Sequence, residues 1–283
     1  MVIVIFMYTF QSRVEGTPSR LKFKGNNMEI CYLYRRESME KGNLKQILLL
    51  TDGYSNQGED PIAMAALAQE QGITVNVIGI MEENVIDQES MREIEGIAMS
   101  GGGVHQIVYA HQLSQTVQHV TRKAMTQTIQ GVVNKELQQI LGKSTSLEEL
   151  PPEKRGEVME VVDELGETVS VEILILVDTS ASMKPKLPTV KESLLDLSIT
   201  LNSRMGKNLF SVSVFPGKKE EVERVLDWTP KLESLSSIFP KLSTGGITPT
   251  GPAIREAIKQ FKKKRSLKNL LRSEEEYYDE SGM

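Results

Sequence analysis

Residues 171–183 read Val-Glu-Ile-Leu-Ile-Leu-Val-Asp-Thr-Ser-Ala-Ser-Met. The apolar run Ile173–Val177, rich in branched side chains, is the pattern of a strand buried on both faces of a sheet. It delivers Asp178, Ser180 and Ser182 at its carboxyl end. A second stretch, residues 44–56, reads Leu-Lys-Gln-Ile-Leu-Leu-Leu-Thr-Asp-Gly-Tyr-Ser-Asn and delivers Asp52 in the same way. A third, residues 244–253, reads Thr-Gly-Gly-Ile-Thr-Pro-Thr-Gly-Pro-Ala and places Thr248 behind a glycine loop. Taken singly, Asp178-Thr-Ser-Ala-Ser is a helix N-cap with a turn, and Asp52-Gly53 is a turn. A cap alone, however, does not require Asp52 and Thr248 in matching places. Carboxylate and hydroxyl oxygens are hard ligands, suited to Mg²⁺ and Mn²⁺.

Together these segments resemble the von Willebrand factor A (VWA) domain and its metal-ion-dependent adhesion site, the MIDAS. The pattern of that family is Asp-x-Ser-x-Ser, then a Thr, then a distant Asp; here the distant Asp comes first. The resemblance implies a metal site of Asp178, Ser180, Ser182, Thr248 and Asp52. Ser180, Ser182 and Thr248 are the candidates for direct coordination, and Asp178 and Asp52 act directly or through water. It further implies one coordination position left for a partner's carboxylate. Ile247, between Gly246 and Thr248, departs from the Gly-Gly-Thr of many members, so Thr250 is the substitute for Thr248.

The rest of the chain alternates strand and helix patterns, which predicts an α/β fold with a doubly wound, mostly parallel sheet. Strands are expected over residues 46–51, 73–80, 103–109, 171–177 and 209–215, with a short edge strand over 221–228. Helices are expected over 60–71, with Asp60 as N-cap, Pro61 in the first turn and Gly72 as the stop, and over 88–99, 188–204 and 252–261. One more begins near Gln112. Residues 39–127 thus resemble the second half of a VWA domain and residues 170–261 the first half. Either half alone leaves backbone groups unpaired along the edge carrying its aspartate. Joined, they make one six-stranded sheet of order 3-2-1-4-5-6 in the usual VWA numbering, a circularly permuted domain. The old ends are relinked through residues 128–169, where 136–141 and 152–165 are helical in pattern. The crevice where the strand order reverses then lies between the Asp178 and Asp52 strands. The same pairing between two chains would give an exchanged dimer instead of a monomer.

Composition narrows the classes. The chain has 283 residues, 39% apolar and 25% charged, with a net charge of −5. That acidity argues against nucleic acid as a partner, because phosphate contacts need a basic face. Residues 1–10 are apolar but too short for a membrane span and lack the basic flank of a signal peptide, so neither membrane nor export is expected. One cysteine, Cys31, excludes an intramolecular disulfide and suits a reducing, cytoplasmic setting. The three histidines, His105, His111 and His119, show no HExxH spacing. Gly142-Lys143-Ser144 lacks the strand that a phosphate loop needs before it and reads as a helix stop.

Residues 11–38 carry six Lys/Arg against three Asp/Glu and show no sustained period, unlike the acidic remainder. Arg35-Arg36-Glu37 is encodable as AGG AGG GAA, a ribosome-binding sequence in a bacterial source, which predicts that residues 1–38 are a non-native or disordered leader and that Met39 is the true start. At the other end, residues 262–283 form a charged tail, basic and then acidic, either a frayed helix or a docking tail. The functional expectation is a non-catalytic, bacterial protein-binding module that captures an acidic partner residue through Mg²⁺ or Mn²⁺. Similarity to VWA proteins of spore-forming bacilli adds a regulatory, sporulation- or kinase-linked setting, by association alone. Two other classes stay open: a VWA subunit assisting a separate AAA+ ATPase in the manner of a chelatase, and a structural protein with an empty site.

Overall fold

The computed structural model describes residues 43–81, 87–141 and 150–280, with side chains throughout except over 136–141 and 267–280. The expectations for residues 1–38 and for Gly142-Lys143-Ser144 lie outside the described residues. In chain order the elements are β1 (Asn43–Thr51), α1 (Pro61–Glu70), β2 (Ile73–Met81), α2 (Gln88–Ser100), β3 (Gly102–Tyr109), α3 (Leu113–Leu141) and α4 (Pro152–Thr168). There follow β4 (Ser170–Asp178), α5 (Leu187–Asn202), β5 (Asn208–Phe215), β6 (Glu223–Thr229), a one-turn α6 (Leu235–Ile238) and α7 (Thr250–Glu280).

Among the described residues the strands form one sheet of order β3-β2-β1-β4-β5-β6, parallel throughout except for the antiparallel edge strand β6. In the usual VWA numbering this is the 3-2-1-4-5-6 order, so the topology is that of a circularly permuted domain. The junction is the β1–β4 pair, in register from Asn43 opposite Ser170 to Leu50 opposite Val177. These two central strands carry the apolar runs Ile47–Leu50 and Ile173–Val177, as burial on both faces requires. Alternate residues serve the two helical layers. Leu48, Leu50, Ile173, Ile175 and Val177 pack with α3, α4 and α5, while Ile47, Leu49, Leu174 and Leu176 pack with α1, α2 and α7.

The helix boundaries follow local chemistry. The Asp60 side chain accepts from the Ile62 N–H and Pro61 opens α1, while Gly72, at φ +71°, turns the chain into β2. Two segments run longer than their sequence pattern suggests. The helix starting after Gln112 and the 136–141 segment are one continuous helix, α3, because Gly131 within it faces open space and costs propensity alone. The helix expected over 252–261 continues to Glu280, so the charged tail begins inside α7.

The relinking segment is anchored at its far end by Arg204, which is buried and donates to the carbonyls of Gly166 and Val169 and to Asn208 Oδ1, each at 2.8 Å. This fastens the end of α4 to the turn between α5 and β5, so that β4 enters the sheet beside β1. On the other face Glu172 in β4 accepts from Asn43 and pairs with Lys264 of α7, whose ammonium lies over Trp228.

Candidate metal centre

The permutation brings residues from both ends of the chain to one point at the carboxyl edge of the sheet. Asp52 follows β1 and Asp178 ends β4, neighbouring strands in register. The Thr51 hydroxyl donates to Asp178 Oδ2 at 2.8 Å, and the Ser180 N–H donates to Asp178 Oδ1 at 2.7 Å. Asp178 is fully buried. Burial pushes its carboxyl up to about 6, against the lowering effect of the Ser180 and Thr51 hydrogen bonds and with a further rise from the Asp52 charge.

From Asp52 a chain of polar atoms returns to the Asp178 loop. The Ser182 hydroxyl donates to Asp52 Oδ1 at 2.9 Å and lies 3.2 Å from the Ser180 hydroxyl. The other oxygen, Asp52 Oδ2, is 2.5 Å from the Lys186 ammonium. Ser180 is buried while Ser182 is exposed, so the cluster opens to solvent at Ser182. Local structure fixes this geometry: a 3-10 turn over Ala181–Met183 follows the strand, and α5 begins immediately after Lys186.

The loop bearing Thr248 is fastened to both aspartate loops. The Thr248 N–H donates to Asn56 Oδ1 at 2.9 Å, and its carbonyl accepts from the Asn56 N–H at 3.2 Å and from the Ser55 hydroxyl at 3.2 Å. Towards the other loop, the Gly245 N–H donates to the Thr179 carbonyl at 3.0 Å. Gly245 and Gly246 have φ of +135° and +84°, which L side chains rarely adopt. Gly251 sits so near Glu59 that a Cβ there would lie 1.8 Å from the Glu59 carbonyl oxygen, and Arg255 forms an ion pair with Glu59. The two threonines differ: Thr248 is held through its backbone, whereas the Thr250 hydroxyl is buried without a hydrogen-bond partner.

Four residues around this cluster carry no motif that marks them. Thr51 has a faint signal, a polar residue closing an apolar strand. Asn56 and Lys186 become visible only once the loops are in space. Glu93, on α2, accepts from the Ser55 N–H at 2.7 Å, and burial raises its carboxyl above the ordinary value. Among the described residues no group of three or more His, Cys, Asp or Glu side chains is placed to hold a metal. The oxygen set here has two carboxylates, and its other donors are hydroxyls.

Comparison with known proteins bears on the same halves. The sequence model of the von Willebrand factor type A domain matches residues 25–123. That match holds Asp52 and leaves Asp178 outside, as expected when a sequence model in one order meets a chain in the other. The chain is 72% identical over 245 residues to the uncharacterised protein YabS of Bacillus subtilis (strain 168), covering 87% of this chain and all of that one. A crystal structure of an uncharacterised protein from Alicyclobacillus acidocaldarius is 38% identical, with a TM-score of 0.74, and covers 81% of this chain and 97% of that chain. That coverage exceeds either half, so the likeness runs through both.

Proposed function

Since the chain belongs to the von Willebrand factor type A family, whose proteins are typically non-catalytic interaction modules, we propose that it captures a protein partner through a divalent cation held by Asp52, Asp178, Ser180, Ser182 and Thr248. The observation that carries this reading is the polar chain from Asp52 through Ser182 to Ser180, built from opposite ends of the sequence. The donor set fits the group: hard oxygens only, on short side chains, and open to solvent on the Ser182 side. When bound, Mg²⁺ or Mn²⁺ supplies a Lewis-acidic position that a partner's Asp or Glu can fill. Ser180 and Ser182 would offer hydroxyl oxygens, and Asp178 and Asp52 would balance charge directly or through water. Thr248 is preferred over Thr250 because its loop is tied to the Asp52 loop by reciprocal bonds with Asn56.

Two bulky apolar side chains flank the mouth on these loops. Tyr54 follows Asp52 at 46% exposed and Ile247 precedes Thr248 at 38% exposed. They supply exposed apolar area beside the polar cluster, and aromatic side chains such as Tyr54 are enriched at protein interfaces. No helix among the described residues is long and apolar enough to cross a membrane. The reading includes a cytoplasmic setting.

The test is calorimetric titration of Mg²⁺ and Mn²⁺ into the protein, Asp52→Ala and Asp178→Ala. Loss of binding in both variants, with folded circular dichroism spectra, is the expected result. Binding that survives Asp52→Ala would separate the two halves and remove the shared site.

A further inference from the structure

The cation already seated in this cluster is Lys186. Its ammonium contacts Asp52 Oδ2 at 2.5 Å, with the lysine side chain 8% exposed and the aspartate side chain 2% exposed. A surface ion pair would be worth little. Here both charges are withdrawn from water, so each depends on the other. The backbone holds Lys186 in place. Its N–H donates to the Met183 carbonyl at 2.8 Å, and its carbonyl accepts from the Val190 N–H at 3.0 Å. The lysine is therefore fixed at the start of α5, and its four methylenes set the reach of the ammonium head.

We propose that Lys186 is the resident cation of the site, an intramolecular competitor whose ammonium must leave the Asp52 carboxylate before a divalent ion can enter. The inference rests on the metal reading above. A metal drawing on Asp52 Oδ2 and an ammonium 2.5 Å from that atom claim the same lone pairs and repel each other. Asp52 and Asp178 provide two negative charges, and the lysine cancels one of them. The consequence is a binding threshold: the apo protein is held together by its own cation, and metal occupancy needs a concentration high enough to displace it. Ser182, exposed beside Asp52, marks the side towards which the head can move into water.

The experiment titrates Mg²⁺ into the full chain as wild type, Lys186→Met, Lys186→Gln and Lys186→Arg by calorimetry, with thermal melts in EDTA and in Mg²⁺. Lys186→Met and Lys186→Gln are expected to bind Mg²⁺ at least about tenfold more tightly, since the attraction of a unit-charge pair at this range, which the metal must displace in wild type, exceeds that factor. Both should melt lower than wild type in EDTA, with Asp52 left uncompensated, and gain more from Mg²⁺. Lys186→Arg keeps the charge and should stay near wild type. Equal or weaker binding in a folded Lys186→Met or Lys186→Gln overturns the inference and makes Lys186 a positioning group for Asp52. If neither wild type nor the neutral variants give heat or a melting shift, the metal reading falls, and this inference with it.

Discussion

Replacing Asp178 with Asn should stabilise the metal-free protein at neutral pH. The side chain is buried, and burial raises its carboxyl from 3.8 to about 6. A group that prefers its proton in the folded state penalises folding whenever it must ionise. Below pH 4 both states are protonated and the penalty is absent; it grows between pH 4 and 6 and is complete above the folded value. A rise of roughly two units corresponds to about 3 kcal/mol at 1.36 kcal/mol per unit, an order-of-magnitude figure. The amide can replace the carboxyl without stranding a partner. Its oxygen can accept from the Ser180 N–H, and its NH₂ can donate to the Thr51 hydroxyl, whose own hydrogen can turn from position 178 to the Gly53 carbonyl 3.2 Å away. Urea unfolding in EDTA at pH 7.5 and at pH 4.5 reads the difference directly, because other titrating groups cancel between the two proteins. Asp178→Asn should be the more stable by about 2–3 kcal/mol at pH 7.5, and the gain should shrink towards pH 4. With Mg²⁺ present the order should reverse, since wild type alone keeps the charge that balances the ion. A variant that is no more stable at pH 7.5, or whose gain does not change with pH, would refute the assignment of buried carboxylate strain to this position.

Two further perturbations probe the supports of the site. Gly251→Ala sets a methyl against the Glu59 carbonyl and should cost about 1–3 kcal/mol by overpacking. It should also weaken Mg²⁺ binding by loosening Thr248 from Asn56; unchanged affinity in calorimetry would show that the two loops are not coupled. Arg204→Met removes the donor to two buried acceptors and one half-buried one and should cost roughly 3 kcal/mol in denaturant unfolding. A loss below about 1 kcal/mol would mean that the relinking helix needs no such anchor.

The strands of the sheet were legible because two-sided burial leaves a clear trace: Ile47–Leu50 and Ile173–Val177 are apolar without interruption. Their adjacency was legible through the resemblance to the VWA family, supported by the argument that neither half can satisfy its own inner edge. Helix ends were legible where chemistry marks them, as at Asp60-Pro61 and Gly72. They were not where a helix simply continues: α3 runs through Gly131, and α7 passes beyond Phe261 into a charged segment. Neither place has a proline or a well-sited glycine to stop it. At the site, the residues visible in advance were those at fixed spacing from a strand end. Asn56, Glu93 and Lys186 act across distances of 192, 38 and 134 residues in sequence, and no local pattern encodes such contacts.

That division has a physical cause that bears on how the permuted order is tolerated. A cut between the old third helix and fourth strand removes no side chain from the crevice, because Asp52, Asp178, Ser180 and Ser182 follow the ends of the neighbouring strands β1 and β4, and Thr248 is held by its hydrogen bonds with Asn56. What the cut demands is a new route for the chain. The end of α3 and α4 provide it by packing Ile129, Val133, Val158 and Val162 into the same apolar layer as α5. The linker is therefore part of the core. Shortening it would expose that layer while leaving the residues of the candidate site in place, so the stability of the fold and the composition of that site are set by different parts of one sequence.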